Sequence, residues 1–228
     1  MSALILVVRN EERLGKWLRN RLTFKKFESE VTAVEFMTPF ATCWNGNKDV
    51  IEPYHHKIQR RLQDIQGIFA DQKKVKEILQ SENPLIYEVY GLDLPEKEGH
   101  LIYCLSVVYP GKIGKEYFMT KGHFHARRDT AEIYMGLKGE GYLIMQTFDG
   151  EFYPLKVTPG AIAYVPPFWG HRSVNTSREK FIQLAIYPGN AGHDYKIVED
   201  YGFCKILVEE NGKPVFINNP EYRKEIGS

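Results

Sequence analysis

Residues 120–141 read TKGHFHARRDTAEIYMGLKGEG, and two histidines one residue apart sit near the start of this stretch. In a β-strand, residues i and i+2 point to the same face. His123 and His125 are therefore expected to look one way and Phe124 the other. Taken alone, such a pair is more often a polar strand face than a ligand set. Glu132 follows seven residues after His125. Downstream, PGAIAYVPPFWGHRSVN at 159–175 carries His171 into a strand after a Pro166-Pro167 turn. Three imidazoles and one carboxylate suit Fe(II), Mn(II), Ni(II) or Zn(II) and leave open positions on an octahedral ion. Two donors on one strand, a third on its neighbour and a fourth on a later facing strand can be gathered inside a β-barrel without long loops.

The rest of the chain supplies that barrel. Leu85–Tyr90 and Leu101–Tyr109 are rich in β-branched and aromatic residues. Tyr142–Thr147 and Phe152–Val157 flank Asp149-Gly150, a hairpin signal. Ala161–Val165, Phe181–Tyr187 and Phe203–Val208 follow, and Asn211-Gly212 turns the chain into Val215–Ile217. Short strands at near-regular spacing indicate a mainly β fold, a sandwich or a barrel. Before Pro84 the pattern is helical. Ile58, Leu62 and Ile65 fall on one helical face, and Asp71 is placed to cap a second helix carrying Val75, Ile78 and Leu79. Everything after Pro84 reads as β.

Composition narrows the function classes. Lys plus Arg total 30 and Asp plus Glu 29, so no global field favours nucleic acid or a membrane surface. No stretch approaches the ~18 apolar residues of a membrane span, and the six-residue apolar run near the start is a poor signal peptide. The three cysteines are far apart and form no CxxC, which fits a reducing cytoplasm. The Asn175-Thr-Ser177 sequon is then without consequence. Residues 9–26 carry seven basic and two acidic residues, with Leu14, Trp17, Leu18 and Leu22 on one helical face. They read as an amphipathic or disordered extension rather than a nucleic-acid or membrane arm. Met37 is a possible original start, so residues 1–36 are expected to be an extension and 37–228 the working domain.

Two spacings carry a resemblance. H-x-H-x6-E-x6-G from His123 to Gly139, and G-x5-P-x4-H-x3-N from Gly160 to Asn175, resemble the two cupin motifs. The gap before Glu132 is longer than usual, and Phe168 stands where many cupins have glycine. The longer gap is similar to that of the cupin-type glucose-6-phosphate isomerases of archaea. So are Tyr87-Glu-Val-Tyr90, Tyr109-Pro-Gly-Lys-Ile-Gly-Lys-Glu116, Val165-Pro-Pro-Phe-Trp-Gly-His-Arg172 and Tyr187-Pro-Gly-Asn-Ala-Gly-His-Asp-Tyr195. The resemblance implies a double-stranded β-helix, or jelly-roll barrel, with short N-terminal helices. It implies a divalent metal, Fe2+ foremost, on His123, His125, Glu132 and His171, and a homodimer acting on a sugar phosphate. Catalysis would fall to Glu132 and His171. Tyr87, Ser106, Thr120 and Gly122 would line the phosphate side, and Tyr134, Tyr187, His193 and Tyr195 the sugar. Ser106 stands where threonine is usual, and Gln183 where an aromatic is expected.

Aldose–ketose isomerisation moves a proton or a hydride between C1 and C2. The proton route needs a base and a cation to stabilise an enediolate. Glu132 is either that base or a tight ligand, and the sequence leaves both open. Lys112, Lys115, Lys121, Arg127 and Arg128 surround the entrance in sequence and could steer an anion, although solvated side chains are the simpler reading. His55, His56 and His100 read as surface residues. An Fe(II) dioxygenase and a non-catalytic sugar-binding cupin are the competing classes. A Thr-Lys-Gly phosphate entrance argues against the first, and the metal set against a storage role.

Overall fold

The computed structural model describes residues 37–223. The amphipathic stretch at 9–26, and with it the extension expected over 1–36, lies outside the described residues. The chain divides into two units between Phe40 and Ala41, and the described residues fall almost wholly in the second.

The second unit is built on antiparallel sheets. One has six strands in the order Ile162–Val165, Glu132–Lys138, Phe181–Pro188, Leu101–Val108, Leu85–Gly91 and His56–Arg61. A three-stranded sheet runs Phe152–Val157, Gly141–Gln146, Gly170–Asn175, and a four-stranded one carries Lys205–Glu210 and Lys213–Asn218 at one side. Alternation decides what each strand buries. In the Glu132–Lys138 strand Glu132, Tyr134 and Gly136 are buried while Ile133 and Met135 are exposed. The core between the sheets holds Phe124, Leu143, Phe181 and Phe203. At ~25 cal/mol per Å2 of apolar surface, such side chains stabilise the fold by about 1.5–3 kcal/mol each. The mainly β expectation therefore holds, as do both turns. Gly150 takes φ +84, and Asn211 and Gly212 take φ +51 and +73, the left-handed pair a two-residue hairpin needs.

Three expectations fail. Ile58–Ile65 is not a helix: His56–Arg61 is a strand paired with Leu85–Gly91, and a 3-10 turn covers Leu62–Ile68. The 58/62/65 spacing arises because Leu62 and Ile65 belong to the turn, whereas Ile58 sits on an edge strand and is exposed. The helix capped by Asp71 does form, over Gln72–Leu79, with the Asp71 carboxylate accepting from the Lys74 N–H. Nor is the C-terminal half all β, since Lys196–Tyr201 is a short helix. Finally, the HFH segment is not a regular strand. It joins the Gly170–Asn175 strand only through bridges, Met119 to Val174 and His123 to His171. Four steps on one side oppose three on the other, which is a β-bulge. Gly122 absorbs the extra residue at φ +77, and a Cβ there would stand 2.9 Å from the His171 carbonyl oxygen.

Candidate metal centre and substrate cavity

The bulge leaves the histidine alternation intact. His123 and His171 exchange backbone hydrogen bonds, N to O at 3.1 and 2.9 Å. The His123 and His125 rings lie on the same side, 5.7 Å apart. Phe124 turns the other way and stacks on Phe148 in the core. Glu132 arrives from the six-stranded sheet and His171 from the three-stranded one. One ligand atom from each of His123, His125, Glu132 and His171 lies within 4.8 Å of all the others. Glu132 and His171 are 2% and 1% exposed.

The hydrogen bonds define the tautomer of His125. The Thr130 hydroxyl donates to the Arg127 carbonyl at 2.6 Å, so its oxygen is left to accept from His125 Nδ1–H at 2.8 Å. The Nε2 lone pair then faces Glu132 Oε2 at 3.0 Å. Two acceptors at that separation repel unless a cation, either a proton or a metal, sits between them. His171 repeats the arrangement, with Nε2 2.9 Å from the same oxygen but off the line of a hydrogen bond. Neither it nor His123 Nε2 has an aligned partner among the described residues. Buried polar atoms without partners are costly, and a shared divalent cation resolves all of these contacts together. The donor set therefore fits a divalent metal.

Electrostatics agree. Burial drives the Glu132 carboxyl up, but the surrounding His171, His125 and His123 outweigh burial and hold it well below the usual carboxylate range. Burial, then His171 and His193, push His123 well below the ordinary imidazole value, which leaves it neutral, as a metal ligand must be. Cys104 also faces this space. Desolvation, aided by Glu132, pushes its thiol up to about 12, so it remains protonated rather than a thiolate ligand.

The long step from His125 to Glu132 is a loop that returns Thr130 to His125. Arg128 braces it, donating to the His125 carbonyl at 2.8 Å and pairing with Asp194 at 2.6 Å. Phe168, standing where many cupins have glycine, holds φ +72, a conformation glycine adopts without strain. Its N–H donates to the Arg128 carbonyl at 2.7 Å.

A cavity of about 230 Å3 opens over three of the four donors, His123, Glu132 and His171. All of the residues expected around the substrate line it: Tyr87, Ser106, Thr120 and Gly122, and also Tyr134, Tyr187, His193 and Tyr195. His193 packs edge-on to His123 at 4.4 Å and against Tyr187 at 5.3 Å. The Thr120 hydroxyl oxygen accepts from the Ser173 N–H at 3.0 Å, which keeps its own proton free to donate. Gln183 lies outside the lining but is fully buried, and Ser173 donates to it at 2.5 Å. Sequence reasoning missed Arg60, His56 and Ser173 in this lining. The helix expected over Ile58–Ile65 hid Arg60; His56, read as a surface residue, is exposed but shares a strand face with 58 and 60. Thr130 carried no signal in the sequence, because its partner is set by the loop.

The family model described as glucose-6-phosphate isomerase matches residues 59–224. The glucose-6-phosphate isomerase of Pyrococcus abyssi is 48% identical over 188 residues, covering 82% of this chain and 99% of that one. That of Pyrococcus furiosus is 46% identical, covering 83% and 100%. A putative glucose-6-phosphate isomerase of Rhizobium meliloti is 34% identical, covering 72% and 78%. Matched over most of its length by the family model and over nearly the whole length of the archaeal relatives, this chain belongs to the glucose-6-phosphate isomerase family.

Proposed function

We propose that this chain interconverts glucose 6-phosphate and fructose 6-phosphate, with a divalent metal held by His123, His125, Glu132 and His171. The observation that carries the reading is the convergence of two imidazole Nε2 atoms on the Glu132 carboxylate at 2.9 and 3.0 Å, at the floor of a tyrosine-lined cavity. A cation bound there supplies Lewis acidity toward the open-chain carbonyl. Three nitrogens and one oxygen suit Fe2+, which we assign, and also accommodate Mn2+, Ni2+ or Zn2+.

The protein's own groups account for the rest of the reaction. Glu132, held ionised, takes the proton from C2 of the aldose and returns it to C1, while the hydroxyl proton of O2 passes to O1. Solvent deuterium appearing in the product marks this route; its complete exclusion marks a hydride shift instead. His171 orients the Glu132 carboxylate. Tyr134 and Tyr187, whose phenols burial keeps protonated, present donors to sugar hydroxyls, as do His193 and Tyr195. Tyr87, Ser106, Thr120 and the backbone of Gly122 receive the phosphate.

We assign this work to residues 37–228 as a homodimer in the cytoplasm, with 1–36 an extension. An exposed apolar face supports the dimer. Ile162 and Tyr164 on the edge strand pair in register with Met135 and Ile133, and all four are exposed. Contiguous apolar surface on an unpaired edge is what a second copy would cover.

The test is to strip the protein with a chelator, restore single metals, and follow fructose 6-phosphate conversion beside O2 uptake. Metal-dependent isomerisation without O2 is expected. O2 consumption without isomerisation would overturn the reading in favour of a dioxygenase.

A further inference from the structure

The cations that flank the HxH segment in sequence are not the ones available to an anionic substrate. Lys112 pairs with Glu209, Arg127 with Asp129 and Arg128 with Asp194, and none of these lysines or arginines lines the cavity. Lys121 does line it, but its ammonium is held by Glu199 and lies 4.8 Å above the Tyr195 ring. The strand that was mistaken for a helix supplies a different charge. His56, Ile58 and Arg60 alternate toward the cavity, and Arg60 stands opposite Tyr87 in the strand register. Among the described residues its guanidinium donates to the adjacent Gln59 carbonyl at 3.3 Å and also interacts with the Tyr87 hydroxyl. Among the described residues no carboxylate lies within ion-pair distance of it. Its field reaches both phenols of the mouth. Burial raises Tyr87 and Tyr195, and the Arg60 charge opposes burial at each.

We propose that Arg60 is the specificity residue for phosphorylated over neutral sugars, pairing its guanidinium with the substrate phosphate beside Tyr87 and Thr120. This rests on the reading of the cavity as a sugar-phosphate isomerase site. A guanidinium presents a planar fork of donors that matches phosphate oxygens two at a time and stays charged at every working pH. Hydroxyls and backbone N–H groups alone bind a phosphate without neutralising it. With Lys121 committed to Glu199, Arg60 is the cavity cation left with unused donors. Its exposure suits an anion that arrives from solvent and must leave again.

The experiment compares wild type, Arg60→Ala and Arg60→Lys by steady-state kinetics on fructose 6-phosphate and unphosphorylated fructose. In parallel, inorganic phosphate binding is measured calorimetrically on the metal-loaded proteins, with folding checked by circular dichroism. In Arg60→Ala, KM for fructose 6-phosphate and the phosphate dissociation constant are expected to rise together by roughly 10–100-fold, with kcat falling far less. The preference for phosphorylated over plain sugar falls by the same factor. Arg60→Lys recovers part of both, because it restores charge but not the fork. Unchanged phosphate affinity and KM in folded Arg60→Ala overturn the proposal. If Arg60→Ala misfolds, Arg60→Lys decides, since full wild-type preference in that variant excludes recognition by the guanidinium fork. Loss of phosphate binding in Arg60→Ala, alongside a wild type that does not isomerise, upholds Arg60 as an anion site and rejects the isomerase reading alone.

Discussion

The Thr130 hydroxyl stands 2.8 Å from Nδ1 of His125 while its own proton is committed to the Arg127 carbonyl. That hydroxyl oxygen, with the Thr130 carbonyl oxygen beside it, decides which imidazole nitrogen faces Glu132. Groups that orient a metal-binding histidine typically contribute 10–100-fold to metal affinity. Thr130→Val, which keeps the volume and removes the acceptor, is expected to weaken metal binding by about that factor, with Thr130→Ser largely restoring it. Competition against a chromophoric chelator measures both. Equal affinities in wild type and Thr130→Val would mean that the Thr130 carbonyl, 3.1 Å away, orients the ring unaided.

Glu132→Gln keeps the shape of the side chain and removes its charge. If the carboxylate carries the proton between C1 and C2, kcat should fall by roughly 10²–10⁴-fold. The measurement has to be made on protein whose metal content has been determined, because the same residue contributes a ligand atom. Near-normal turnover in metal-loaded Glu132→Gln removes the base role and leaves the hydride route.

Glu116 gives a pH dependence away from the metal. Burial pushes its carboxyl from the ordinary 4.5 up to about 7, and the Ala70 N–H and the Arg172 charge oppose that rise only in part. One oxygen accepts from Ala70 at 2.9 Å, and the other has no partner among the described residues. Between those two pH values the folded state binds more protons than the unfolded one, so stability falls as pH rises from 4.5 through 7 and levels off above. Glu116→Gln removes this slope. The difference between the two proteins in unfolding free energy, measured by urea titration, should change by up to about 3 kcal/mol across the window. Parallel curves would place the titration elsewhere.

The apolar edge makes a further prediction. Ile162 is 70% exposed and Tyr164 56%, so replacing both with lysine costs little in a monomer and much at an interface between copies. Sedimentation velocity should show a dimer in wild type and a monomer of unchanged secondary structure in the double variant. A wild type that sediments as a monomer at every concentration would leave this face without a second copy.

Much of the fold was legible because its strands announce themselves through alternation and turn chemistry. Phe152–Val157 was bounded to the residue, and Asn211-Gly212 could form little but a hairpin turn. The donors were legible for the same reason: His123 and His125 share a face whether or not the strand is regular. Other features depend on long-range partners and leave no periodic trace. The bulge at Gly122 is defined by where Val174 and His171 sit across from it. Thr130 earns its place through a loop conformation. Arg60 was obscured because three apolar residues from a strand and a 3-10 turn happen to fall at helical spacing, and only pairing with Leu85–Gly91 shows which is which.

Glu132 belongs to the six-stranded sheet and His171 to the three-stranded one, so a cation gripping both is a rivet through the two walls of the barrel. A ligand that binds only the folded state stabilises it in proportion to its own affinity. Metal starvation would therefore act on the protein twice, first by silencing the reaction and then by loosening the seam between the sheets. Abundance in the cell would then follow metal supply even where no substrate is present.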